Sequence, residues 1–103
     1  LARGERFTAL VASNDDMAIG AIKQLHDSGI ATPQAVSVVG FDDVAIAPYT
    51  VPSLSSVRIP VTEMIKETIS RLIFMLDGGE FKYQQTFSGE LILRDSVIDG
   101  PHR

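Results

Sequence analysis

Two polar clusters interrupt otherwise apolar runs in this 103-residue chain: Ser13-Asn14-Asp15-Asp16 and Asp42-Asp43. A carboxylate accepts hydrogen bonds from two adjacent hydroxyls, and an amide both donates and accepts. An Asn and an Asp at one mouth therefore suit a polyol such as a sugar, whose hydroxyls are neighbours. The same residues have plainer uses. Asn14, Asp15 and Asp16 are of the types that cap a helix N-terminus and favour the positive end of its dipole. Asp43 can hold a turn. Asp42 is harder to assign to structure, because it closes an apolar strand beside Phe41 with no helix to cap immediately.

Enzymatic readings need more than these residues supply. Paired acids flank the scissile bond in glycosidases, but the side chains of adjacent residues diverge from their backbones. No neighbour in the sequence marks one member of Asp15-Asp16 or Asp42-Asp43 as acid and the other as base. Ser55, Ser56 and His26 carry the atoms of a hydrolytic triad, yet no G-x-S-x-G turn is present and His26 shares a helix face with Lys23 and Asp27. The chain has no cysteine and two histidines, His26 and the tail residue His102, too few soft ligands for a zinc site. Gly78-Gly79 follows a helix pattern instead of opening one, so no phosphate loop is formed. No catalytic residue, metal or cofactor is expected.

The elements that must position Asn14 and Asp42 are legible in the apolar spacing. Phe7–Ala12 is a short apolar run, the mark of a strand covered on both faces. Ala18, Ala21, Ile22 and Leu25 then fall at i, i+3, i+4 and i+7 of a helix that closes at His26-Asp27, with Gly29 as its C′ residue. Val36–Phe41 is the next strand, followed by an irregular stretch from Val44 to Leu54 and a weaker strand at Ser55–Ile59. Pro60 suits the first turn of a second helix, whose stripe is Ile65, Ile69, Leu72, Ile73 and Leu76. Thr86-Phe87 and Glu90–Arg94 are late strand candidates. This alternation predicts an α/β fold with an at least partly parallel sheet. A helical crossover makes the first two strands parallel, and their C-terminal ends, carrying Asn14 and Asp42, then meet at the sheet edge where open α/β sheets bind ligands.

Composition narrows the function further. The net charge of −4 comes without any cluster of Lys and Arg, so the chain itself is a poor grip for phosphate backbones. No apolar run reaches membrane-spanning length. The length suits one small domain, and a partner chain would help cover its surface. The absence of cysteine fits a reducing cytosol. Leu1–Arg6 reads like the end of a helix and a loop, so the chain is expected to be a piece of a longer protein. Met17, Ile19 and Gly20, off the main stripe of the first helix, together with Val44, Ile46, Pro48 and Tyr49, could form a self-association face. Phe74 and Met75 fall outside the stripe of the second helix.

Several motifs in this order resemble the LacI/GalR family of transcriptional repressors. Ser13-Asn14-Asp15-Asp16-Met17-Ala18-Ile19-Gly20-Ala21 is similar to its N-D-x-M-A-x-G-A signature, and Gly29–Pro33 to its G-x-x-x-P. Val36–Asp43 resembles V-S-V-V-G-F-D-D, with Ala47, Tyr49, Pro52, Leu54 and Val57 following its A-x-Y-x-x-P-x-L-x-x-V tail. Leu91, Arg94 and Ser96 resemble the closing L-x-x-R-x-S. The resemblance implies part of a periplasmic-binding-protein-like domain with a mostly parallel sheet flanked by helices. Residues 7–57 and 90–97 would belong to its C-terminal subdomain and residues 60–88 to the N-terminal one. It further implies that Asn14 and Asp42 bind the hydroxyls of a sugar effector, and that Ile19 and Tyr49 lie in a homodimer interface. Operator DNA would be read only through an N-terminal head that this chain lacks, and the protein would be cytoplasmic.

Two departures stand out. Ile59 occupies a position that is often Gln in sugar-binding relatives, which removes one expected sugar contact and points to a pocket tolerant of an apolar aglycone. Pro52-Ser53-Leu54-Ser55-Ser56 replaces the usual P-P-L-T-T. The effector expected is a β-glucoside or a similar sugar. The alternative function is a sugar-binding protein of a transport system, which would share the fold but not the dimer face.

Overall fold

The structure, a computed structural model, describes residues 4, 6–80 and 85–100. Leu1–Ala2–Arg3, Glu5 and the tail with His102 lie outside the described residues. The chain divides into two compact units, one of residues Leu1–Arg58 and Glu90–Arg103 and the other of Ile59–Gly89.

In the first unit, β1 (Ala9–Val11) is followed by α1 (Asp15–Asp27) and β2 (Ser37–Val39). β1 and β2 pair in parallel, with Ala9 opposite Ser37, Leu10 opposite Val38 and Val11 opposite Val39. α1 begins where Asn14, in extended conformation, accepts a hydrogen bond from the Met17 N–H at 2.9 Å. It ends where Gly29 takes φ of +76°. There the Ile30 N–H reaches the Leu25 carbonyl at 2.8 Å and the Gly29 N–H reaches that of His26 at 3.0 Å. This is a Schellman closure, which favours a glycine at C′ because a Cβ there is strained.

The predicted helical stripe is the face that packs: Ala18 and Leu25 are buried with Val36, Val38, Ala47 and Leu54. Leu10, Ala12, Ile19, Ile22, Ile30 and Val44 lie half-buried around them, so Ile19 and Val44, assigned from sequence to a self-association face, pack in part within the chain. Full burial of a side chain such as Leu54 contributes about 1.5–3 kcal/mol.

Beyond β2 the chain makes a short 3-10 helix at Ala47–Tyr49 and returns as β3 (Ser56–Arg58), which pairs antiparallel with β4 (Glu90–Ile92). A parallel bridge from Val39 to Ser55 brings the start of this ladder beside β2. Ser96, fully buried, fastens the last segment there: its hydroxyl donates to the Val38 carbonyl at 2.6 Å and accepts from the Ser55 N–H at 2.8 Å. In the second unit α2 (Val61–Leu76) carries the predicted apolar stripe, with Arg71 and Glu67 paired along it at 2.7 Å.

The structure differs from the sequence expectations in four places. The strands are three residues each, shorter than the apolar runs that suggest them. β1 is not covered on both faces: β2 is its one described neighbour and Val11 is 80 % exposed, because apolar composition marks a strand without supplying what lies over it. Pro60 is the N-cap of α2 instead of lying in its first turn, and Thr86-Phe87 forms no strand, as neither residue has a ladder partner among the described residues.

Candidate functional site

Because β1 and β2 run in parallel, the residues that follow them emerge at one edge. The Ala12 N–H donates to the Val39 carbonyl at 2.9 Å, and one step further the Asp15 N–H donates to the Phe41 carbonyl at 3.0 Å. Asn14 and Asp42 each adjoin a member of that last pair, so the two residues singled out for a ligand lie at the same edge of the sheet.

Their side chains are differently engaged. Asn14 Oδ1 is used by the Met17 N–H, so its cap role is real. The amide Nδ2 has no partner among the described residues and keeps two donors. Asp42 is exposed and its carboxylate makes no hydrogen bond or ion pair among the described residues. Its backbone has φ of +108°, and that of Asp43 has +57°. Non-glycine residues held at positive φ cost on the order of 1–3 kcal/mol and persist only where their surroundings over-determine them. Asp42 thus carries strain without using its side chain for the fold. The rim thus carries the Asn14 amide donors and the Asp42 carboxylate, neither of which has a partner among the described residues.

A second layer of residues holds this turn. Asp15 opens α1, where the helix dipole favours a carboxylate, and is fully buried. Its Oδ1 accepts from the Ser56 hydroxyl and its Oδ2 from the Val44 N–H, both at 2.7 Å. The Ser56 Oγ in turn accepts from the Asp43 N–H at 3.0 Å, and the Asp42 N–H donates to the Val57 carbonyl at 2.9 Å. Gly40 is required beside this carboxylate: a Cβ there would collide with Asp15 Oδ1 and lie 3.1 Å from the Asp15 Cα. Asp15 is therefore a tether between α1, the turn and β3, in addition to being a helix-start residue.

Asp43 faces two arginines. Its Oδ2 lies 2.8 Å from Arg58 Nη2 and accepts from Arg58 Nε, also at 2.8 Å. Its Oδ1 lies 2.8 Å from Arg94 Nη1. That nitrogen also donates to the Leu54 carbonyl at 2.7 Å, and Asp43 Oδ1 itself has no well-directed hydrogen bond among the described residues, so this contact is more Coulombic than directional. The Arg94 guanidinium, and then Arg58, hold the Asp43 carboxyl below the usual carboxylate range against the opposing effect of burial. Sequence reasoning leaves Arg58 and Arg94 without a role and reads Asp15 as a cap. The signal that could have marked Asp15 is Gly40, a small residue immediately before the aromatic at the strand end.

The other candidates lie apart from this rim. Ile19 is half-buried and lines an open groove of about 590 Å³ with Ile22, His26, Thr50, Val51 and Pro52. Tyr49, adjacent to Thr50, is 78 % exposed, as is 94 % of Val51. Gly20 has open space where a Cβ would be. Ser55 and Ser56 are fully buried and spent on structural hydrogen bonds, and His26 is exposed on α1, so no triad is assembled from them. Among the described residues no group of three His, Cys, Asp or Glu could hold a metal ion, and no helix is long and apolar enough to cross a membrane.

Known proteins are similar to this chain in sequence and in fold. Residues 2–97 match the periplasmic binding protein-like domain. The HTH-type transcriptional regulator AscG of Escherichia coli is 72% identical over 98 residues, which cover 95% of this chain and 29% of that protein. In fold, the lac repressor dimer bound to operator and the anti-inducer ONPF superposes with a TM-score of 0.88 at 26% identity, over 95% of this chain and 34% of that one. The complex of the transcriptional regulator CelR with cellobiose gives 0.87 at 30% identity, over 93% of this chain and 30% of that one. The chain thus spans about a third or less of the length of each of these three proteins. With a family domain matched over nearly its whole length and regulators of one kind among its relatives, the chain belongs to the LacI/GalR family of transcriptional regulators, in their periplasmic-binding-protein-like effector-binding domain.

Proposed function

We propose that this chain is the effector-binding and dimer-forming portion of a cytoplasmic sugar-responsive repressor, and that its effector is a β-glucoside of the arbutin, salicin and cellobiose kind. The observation that carries this reading is the pairing of Asn14 and Asp42 on one rim with an amide and a carboxylate left unspent. Asp42 would accept from two neighbouring hydroxyls while Asn14 Nδ2 donates to a third sugar oxygen. The cellobiose named with the CelR complex supports a β-glucoside as effector. Residues 60–88 would belong to the N-terminal subdomain of the intact regulator, and residues 7–57 and 90–97 to the C-terminal one. Sugar bound to the intact regulator would then favour one of its conformations and weaken operator binding by population shift. The transport reading is not favoured, since the relatives are regulators.

The test is a titration of the intact regulator with arbutin, salicin and cellobiose, alongside its Asp42→Ala variant. The wild type should bind at least one of them and release operator. The variant should still bind operator but no longer respond. A normal response in Asp42→Ala would place the pocket elsewhere.

A further inference from the structure

We propose that Asp43 is a positioning residue of the effector site: its ion pairs with Arg58 and Arg94 hold the Asp42–Asp43 turn in the conformation that presents the Asp42 carboxylate. The inference rests on the reading of Asp42 as an effector ligand and assigns a role to three residues outside that reading.

Two consecutive non-glycine residues at φ of +108° and +57° are a local conformation the chain does not adopt unaided. Three anchors of this turn are neutral-donor hydrogen bonds from the backbone N–H groups of Asp42, Asp43 and Val44. The fourth, the Asp43 side chain, is the one in which both partners are charged. It ties the turn both to β3, through Arg58, and to the segment following β4, through Arg94.

The Asp43 side chain is 6 % exposed and that of Arg94 14 %, so this contact is screened far less than a surface pair. Arg94 is itself fixed, since its Nη1 donates to the Leu54 carbonyl in the core. The cation therefore does not follow the turn if the turn moves. A carboxylate held between one half-buried arginine and one at the surface acts as a strut, and the residue on its N-terminal side is Asp42. The plainer reading is that Asp43 only balances two positive charges. It predicts a loss spread over the whole unit and no particular effect on Asp42.

Asp43→Asn separates the two, because Asn tolerates positive φ as Asp does and lacks only the charge. In the intact regulator, amide hydrogen exchange of residues 42–44 should rise at least tenfold beyond any rise at Leu25 and Val38. Affinity for cellobiose and salicin should fall at least tenfold. Where Asp43→Asn does not fold, Arg58→Gln removes the exposed arm alone and should raise exchange of the same amides two- to fivefold with a matching loss of affinity. Turn amides that exchange no faster than those of the core overturn the proposal. So does sugar affinity within twofold of wild type in a variant whose Asp42→Ala counterpart has lost binding. Sugar binding that survives Asp42→Ala instead rejects the assignment of the effector site, and turn exchange then still decides whether Asp43 acts as a strut.

Discussion

Asp15 and Asp42 have the same side chain and opposite circumstances: the first is fully buried and accepts two hydrogen bonds, the second is exposed and accepts none from the described residues. The physical cost of each follows. Burying a carboxylate is tolerable for Asp15 because both oxygens are satisfied. For Asp42 the cost is backbone strain at φ of +108°. Replacing Asp42 by Gly should therefore leave the fold as stable or more so, by about 1 kcal/mol, while abolishing sugar response. Denaturant unfolding alongside sugar titration checks this, and retained sugar binding in Asp42→Gly would contradict it. Asp43 adds a pH dependence. Its carboxyl titrates lower in the folded protein than in the unfolded chain, so the unfolded state binds the proton first as pH falls. The stability it contributes is complete above about pH 5, erodes from about pH 4 downward and is gone below its depressed folded value. Urea midpoints of wild type and Asp43→Asn should differ most near neutrality and converge as the pH falls through the depressed folded value; a gap independent of pH would remove the charge from the explanation.

At the level of elements, α1 illustrates how one residue serves the fold and the site together. Asn14 caps the helix with Oδ1 and leaves Nδ2 free at the rim. Ser is as good a cap but too short to reach in the same way. Asn14→Ser should stay within about 0.5 kcal/mol of wild-type stability and lose sugar affinity, whereas Asn14→Ala should lose about 1 kcal/mol as well. Equal sugar affinity in wild type and Asn14→Ser would reduce Asn14 to a cap. The helix itself was legible from Ala18, Ala21, Ile22 and Leu25, because amphipathic spacing and capping chemistry are local properties. β1 was legible as a strand but not in its coverage, since what packs over Val11 depends on residues remote from it. Thr86-Phe87 was misread as a strand for a related reason: two residues of high strand propensity pair only when a partner is presented to them.

For the whole molecule, the proposed homodimer gives the remaining prediction. Ile19 lines a groove on the first unit, and Tyr49 and its neighbour Val51 are exposed there; this is the apolar surface on which the proposed homodimer would form. Aspartates placed at Ile19 and Tyr49 in the intact regulator should convert dimers to monomers in sedimentation velocity while leaving thermal unfolding of the separated subunit cooperative. Dimers that persist unchanged would reject this face.

From sequence alone came the order of elements, the parallel pairing of the first two strands, and the delivery of Asn14 and Asp42 to a shared edge. All of these follow from short-range periodicity and from the direction a βαβ crossover imposes. Only the tertiary structure decided that Asp15 is a buried tether, that Gly40 must lack a Cβ beside it, and that Asp43 stands between Arg58 and Arg94. Those contacts join residues 15 to 51 positions apart, and no local pattern encodes which distant partner a buried carboxylate will meet.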